Sequence, residues 1–197
     1  MRREFHVRFC EGAGVRFPRA TRLVMTFSNE ADARRVMAVL PKRLGKYGLT
    51  LHPTKTRLLH FRPPSGGGPQ PRDTGKQSFD FLGFTHHWER SRRSHWVVKQ
   101  KTAGSRFGRA LKRISGWLRS VQHERVADQH AQLSRKLRGH YNYYGVIGNW
   151  RALSRFRYEV AKLWRRWLDR RSATAHMTWD VFNRLLKRYP LPSPAVG

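Results

Sequence analysis

The sequence predicts an α+β fold in which short antiparallel strands and one helix precede an all-helical bundle. Two observations carry this. Before Lys101 the apolar residues come in short runs separated by Pro- and Gly-rich connections, with a single stretch of helical periodicity. From Ala103 onward three apolar stripes at spacings of three and four residues take over. The break near Lys101 therefore separates an α+β segment from a helical one. The 197 residues suffice for one large domain or two small ones with real cores.

Residues 1–22 show no clear period and are interrupted by Gly12, Gly14 and Pro18, so they read as irregular. Leu23 to Phe27 is a short apolar run with the length of a buried strand. Ser28 is the expected N-cap of the helix that follows. Glu30 and Asp32 stand in its first turn, where the macrodipole favours acids. Ala33, Val36, Met37, Leu40, Leu44 and Tyr47 recur at helical spacing; Pro41 is expected to kink or break the helix and Gly48 to close it. A strand is expected at Thr56 to Phe61, then a loop over Pro63 to Gly75. Two strands near Phe79 to His86 and His95 to Lys101 form a hairpin across Ser91 to Ser94.

The helical stripes are Phe107, Leu111, Ile114, Leu118 and Val121; then Val126, His130, Leu133, Leu137 and Tyr141; then Leu153, Phe156, Val160, Leu163 and Trp167. A short last helix begins near Thr178, with Trp179, Phe182, Leu185 and Leu186 inward, and Pro190, Pro192 and Pro194 end it.

Charge bounds the function. Lys and Arg total 41 against 12 acids, a net charge of +29. Such an excess implies a polyanionic partner, of which nucleic acid is the commonest. A GC-rich genome inflates arginine counts but does not explain the scarcity of acids. No apolar stretch approaches the roughly 20 residues needed to span a bilayer, and the basic N-terminus has no signal-peptide core. The expectation is a soluble, cytoplasmic protein. The single Cys10 excludes an internal disulfide and a cysteine-rich zinc site. The ten histidines show no metal-binding spacing, His86 and His87 diverge to opposite faces of a strand, and no phosphate-binding glycine loop or closely spaced carboxylate pair occurs.

Four segments carry candidate chemistry. Lys55, just after Pro53, lies between a helix and a strand, with Arg57 at the start of that strand; a lysine held there can touch a phosphate or donate a proton to leaving pyrophosphate, although a solvated loop lysine is the plainer reading. Phe81, Leu82, Gly83 and Phe84 place a glycine inside an aromatic strand, where bare backbone can approach a partner; simple core packing is the other reading, and both hold together in a rigid element. Arg138 to Trp150 (RGHYNYYGVIGNW) interleaves cations with rings that can stack on bases. Tyr141, Tyr143 and Tyr144 cannot all face one core from a helix, and Tyr144 is the one expected to be structural. Lastly, Arg151, Arg155, Lys162, Arg165, Arg166, Arg170 and Arg171 surround the third apolar stripe with only Glu159 and Asp169 to offset them, a repulsion that bound phosphates relieve. The residues expected to bind RNA are Lys99, Lys101, Arg138, Tyr141, Tyr143, Arg151, Arg155, Arg165 and Arg166.

From Leu23 to Pro192 these segments, in this order, resemble group II intron reverse transcriptases, the intron-encoded maturases. GLTLHPTKTRLLHF and SFDFLGFTHHW are similar to the end of that family's palm, and RGHYNYYGVIGNW to its maturase-specific region, also called domain X or the thumb. The resemblance implies a divergent N-terminus (1–22), the C-terminal part of a reverse-transcriptase palm (23–101), a maturase-specific helical domain (102–192) and a tail (193–197). It implies that Lys55 and Arg57 lie near the incoming nucleotide and that Phe81, Leu82, Gly83 and Phe84 form a primer grip.

In that family a Tyr-Ala-Asp-Asp turn precedes the strand at Leu23, and its aspartates help to hold two Mg²⁺ ions. The aligned positions here are Arg19, Ala20, Thr21 and Arg22. Thr21 is a weak neutral ligand and Arg22 repels a cation, so no catalytic residue and no metal ligand is assigned, and this chain alone is expected to bind no cofactor. The reading is a truncated maturase that binds structured intron RNA, with DNA as a second polyanion. It assists splicing by stabilising folded RNA and has lost RNA-directed DNA polymerase activity. A non-functional gene remnant, and a polymerase completed by a separate chain carrying the fingers and aspartates, are the alternatives.

Overall fold

The computed structural model describes residues 5–13, 22–52, 56–64, 78–172, 174 and 176–194, and for residues 5–13, 22 and 23 the course of the backbone. The fold is mixed α+β, with the strands first and the helices after them. The chain divides into two compact units, one of Met1–Phe81 with His87–Val98, the other of Leu82–His86 with Lys99–Gly197. In this division the short segment Leu82–His86 groups with the helices. Among the described residues no helix is long and apolar enough to cross a membrane.

The first unit contains a sheet built on β1 (Phe5–Ala13), which pairs antiparallel with β2 (Arg22–Phe27) and also with β3 (Thr50–Leu51) and β4 (Arg57–Leu59). This corrects the reading of the N-terminus as irregular. Phe5, Val7 and Phe9 alternate with His6, Arg8 and Cys10, a period-2 signal that the nearby glycines obscure. Helix α1 (Glu30–Gly45) follows β2. Its N-cap is Asn29, not Ser28: the Asn29 side chain accepts a hydrogen bond from the Ala31 N–H at 2.9 Å. Nor does Pro41 end the helix. It is exposed, so the backbone bond it removes is lost on a solvated face. The stop comes at Gly48, whose φ of +67° lets the N–H groups of Gly48 and Leu49 turn back onto the carbonyls of Gly45 and Leu44.

The core of this unit is aromatic. Phe61 meets Phe79 edge-on with centroids 4.8 Å apart and stacks on Trp88 at 5.2 Å, with Val24, Leu59 and Phe81 around them. Phe79 and Phe81 come from β5 (Ser78–Phe81), which forms a three-stranded sheet with β6 (Phe84–Arg90) and β7 (Trp96–Thr102) in the order β5-β6-β7.

The second unit is a helical bundle of α2 (Gly104–Ser120), α3 (Val126–Tyr144), α4 (Trp150–Asp169) and α5 (Trp179–Arg188). Ile114, Leu118, Leu133, Leu137, Tyr141, Leu153, Phe156, Val160, Trp164, Leu168, Phe182 and Leu191 form one buried cluster. On α2 and α3, Ile114, Leu118, Leu133, Leu137 and Tyr141 are buried as their stripes place them, whereas Phe107, Leu111 and Val126 are partly covered. On α4 the buried positions beyond Val160 are Trp164 and Leu168, whereas Leu163 and Trp167 are only partly covered. On α5, Trp179 is exposed.

Polar side chains close the bundle's connections. Gln129 is buried; its amide N–H₂ donates to the Val121 carbonyl at 2.6 Å, while its carbonyl oxygen accepts from the Trp164 indole at 3.0 Å. Arg171 donates to the carbonyls of Gln122 and Glu124, and burial lowers its pKa. Arg157 and Tyr141 donate to the carbonyls of Leu191 and Pro192, which holds the chain after α5 on the bundle.

Candidate nucleic-acid interface

Phe81 to Phe84 do not form one continuous strand. β5 ends at Phe81, β6 starts at Phe84, and between them Leu82 and Gly83 have φ of +47° and +86°. Positive φ at both central residues is the mark of a type I′ turn, which matches the twist of a tight hairpin. The glycine therefore serves the turn's backbone first. Phe81 belongs to the aromatic core of the first unit, Phe84 is buried in the second, and only Leu82 is exposed.

The turn is held by the end of α3. The Tyr143 hydroxyl donates to the Leu82 carbonyl at 2.8 Å, and its ring stacks over Phe84 at 6.0 Å. Tyr144 meets Phe84 edge-on at 5.2 Å, and its hydroxyl oxygen lies 3.0 Å from where a Cβ on Gly83 would stand. The Gly83 carbonyl accepts from the Ala103 N–H at 2.9 Å. Burial raises the Tyr144 pKa, the neighbouring Tyr143 adds to this, and Arg106 and Arg109 oppose it.

Asn149, which sequence reasoning did not single out, fixes the loop between α3 and α4. It is 1% exposed. Its oxygen accepts from the Thr102 N–H at 2.9 Å, and its amide donates to the Thr102 hydroxyl and the Tyr144 carbonyl, both at 2.8 Å. The residue type fits a helix start, but this side chain reaches the end of β7 rather than capping α4. Close by, the aliphatic stem of Lys99 lies against Gly148. Lys101 is exposed one residue before Thr102. The structure thus brings Leu82, Gly83, Phe84, Lys99, Lys101 and Tyr143 into one neighbourhood.

Tyr141 is corrected. It is 5% exposed within the bundle core, its hydroxyl donates to Pro192, and burial pushes its pKa up to about 12 against the opposing charge of Arg157. No ring face is left for a base. Its position one turn after Leu137 on the apolar stripe explains this. Tyr143 is 56% exposed.

Arg138 on α3 and Arg151, Arg155 and Arg166 on α4 are exposed. Arg165 differs: it donates to the Met177 carbonyl at 2.5 Å and lies over the Trp179 ring at 4.5 Å, so it ties α4 to the segment before α5. With few carboxylates available, several cations lie over rings instead: Arg155 over Phe107, Lys136 over Trp117 and Arg170 over Trp167. Glu159 pairs with Lys162 at 3.3 Å, and Asp169 accepts from the Met177 N–H.

Arg57 is exposed on β4 in the first unit, and Arg22 opens β2 in register with Glu11. Lys55 and Thr21 lie outside the described residues. Also in the first unit, Arg34, Met37, Ala38, Leu58 and His60 line an open groove of about 530 Å³, with Glu30 bound to Arg34 and near His60. Among the described residues no group of three or more His, Cys, Asp or Glu side chains could hold a metal ion. Compared with known proteins, the chain matches no protein-family model and no curated protein.

Proposed function

We propose that this chain is the C-terminal part of a group II intron reverse transcriptase or maturase, and that it binds structured intron RNA without polymerising by itself. The observation that carries the reading is the contact of Tyr143 and Tyr144 with the Leu82–Gly83 turn. The two segments most similar to the family, the grip-like hairpin and the tyrosine-rich helix end, meet there as one packed element. A grip has to be rigid to position a nucleic acid, and this one has its backbone and side chains tied at both ends. Further support comes from the order of strands, helix and bundle, which suits the end of a palm followed by a thumb.

RNA binding here is electrostatic first. A chain of net charge +29 with exposed Arg138, Arg151, Arg155 and Arg166 gains affinity by releasing counterions from phosphates. The Mg²⁺ site that the resemblance implies does not fit these residues. Arg22 carries a fixed positive charge at a position that must hold divalent cations in that family, and Thr21 supplies no charge. No polymerisation step is assigned to the chain.

The test is binding to a folded group II intron RNA across a salt series. The logarithm of affinity is expected to fall steeply with the logarithm of salt, by roughly 0.7–0.9 for each phosphate neutralised. A flat response overturns the mechanism. Primer extension with Mg²⁺ is expected to give no product, and incorporation by the purified chain would refute the loss of polymerase activity.

A further inference from the structure

Six of the seven tryptophans have a partner for their rings. Trp88 stacks on Phe61, Trp164 is buried edge-on against Phe182, and Trp96, Trp117, Trp167 and Trp179 each lie under an Arg or Lys side chain. Trp150 is the exception. It is 50% exposed and has no ring, cation or hydrogen-bond partner among the described residues.

Its position is fixed. Trp150 is the first residue of α4 and follows Asn149, which is pinned to Thr102 by two hydrogen bonds. Ile147, the most exposed apolar side chain nearby, stands on the same loop, and Lys99 rests against Gly148. Lys101, one residue before Thr102 in the chain, and Arg151, one residue after Trp150, are both exposed. No acid occurs in the sequence between Glu89 and Glu124 or between Asp128 and Glu159, so the segments that build this corner carry cations alone.

We propose that Trp150 stacks on an unpaired base of bound RNA while Arg151 and Lys101 hold the flanking phosphates. The inference rests on the RNA reading above and narrows it to single-stranded or loop nucleotides. A duplex offers phosphates but keeps its base faces stacked internally, whereas an unpaired nucleotide offers both groups this corner can satisfy. A second copy of the chain would bring like charge to the same place.

The experiment compares two RNAs of equal length, one a blunt duplex and one a hairpin whose unpaired tail carries 2-aminopurine. Trp150→Ala is expected to weaken binding of the tailed RNA roughly tenfold and to abolish quenching of 2-aminopurine, with the blunt duplex unaffected. Trp150→Phe, which keeps a ring, should retain most of the tailed affinity. Equal losses on both RNAs, or no loss on the tailed one, would overturn the stacking proposal while leaving RNA binding intact. Failure of the unaltered protein to bind either RNA at low salt would remove the RNA reading itself. Self-association that Trp150→Ala reverses would identify the corner as an interface between copies and also overturn the proposal.

Discussion

The hydroxyl oxygen of Tyr144 lies 3.0 Å from the point where a Cβ on Gly83 would sit, and Gly83 has φ of +86°. A glycine is required here twice, once by its own turn and once by the helix end packed against it. Gly83→Ala should therefore destabilise the second unit by about 1–3 kcal/mol, from left-handed strain plus displacement of the tyrosine. Adding Tyr144→Phe removes the closest atom but not the strain. The double variant should lose less stability than the two single losses combined, measured by chemical denaturation in a double-mutant cycle. Additive losses would show that the tyrosine does not press on the turn.

Asn149 makes three hydrogen bonds from a buried position. Asn149→Ala leaves the Thr102 N–H without its partner, at a cost of about 1–3 kcal/mol, and removes two further hydrogen bonds worth about 1 kcal/mol each, while the Tyr144 carbonyl keeps its bond from the Val146 N–H. A total loss of about 2–4 kcal/mol is expected in urea denaturation, with increased hydrogen exchange at Thr102. A loss below about 0.5 kcal/mol would mean that water replaces the side chain and that the loop is not held by it.

How much of this is legible in the sequence depends on what each feature needs. The stripes of α2 and α3 are readable because burial repeats at the helical period, as Leu133, Leu137 and Tyr141 illustrate. The same periodicity makes Tyr141 a core residue, and the tyrosine-rich motif around it masks that signal. On α4 the buried line follows steps of four from Phe156 through Val160 and Trp164 to Leu168, rather than alternating three and four, and nothing local specifies that drift. The Leu82–Gly83 turn is hidden because Phe-Leu-Gly-Phe continues an apolar run and lacks the Asn-Gly or Asp-Gly pair that announces a two-residue hairpin. Asn149 is illegible because its partners at Thr102 are set by the fold. Trp150 ends the same tyrosine-rich motif, but its difference from the other tryptophans lies wholly in its surroundings.

His140 carries a pH prediction. It stacks on Phe156 with centroids 3.8 Å apart, and burial lowers its pKa from 6.5 to about 4. Its Nε2 is buried without a hydrogen-bond partner. The folded protein therefore favours the neutral ring, so the unfolded chain takes up a proton first as pH falls. This contribution to stability is complete above pH 6.5, is lost progressively between pH 6.5 and about 4, and is constant below that. His140→Phe keeps the stacking and cannot titrate. It should flatten this part of the stability-against-pH curve and leave stability at pH 7 unchanged or slightly higher. An unchanged slope between pH 6.5 and 4 would assign the effect to other groups.

Arg165 and Arg166 are adjacent but face different tasks. Arg165 donates to the Met177 carbonyl and covers Trp179, whereas Arg166 is exposed, with no such partner among the described residues. Arg165→Ala removes a charge-assisted hydrogen bond and a cation–π interaction and should cost about 1–3 kcal/mol of stability. Arg166→Ala should leave stability within about 0.5 kcal/mol, because an exposed cation away from structural partners contributes little. RNA affinity should respond in the opposite order. Arg166→Ala is expected to weaken binding and to reduce the salt slope by roughly 0.7–0.9, the change that follows when one fewer phosphate is neutralised. Arg165→Ala should leave the salt slope unchanged wherever the protein remains folded. Thermal melts and a salt series on both variants separate the two roles, and equal salt slopes for Arg166→Ala and the unaltered protein would remove Arg166 from the interface.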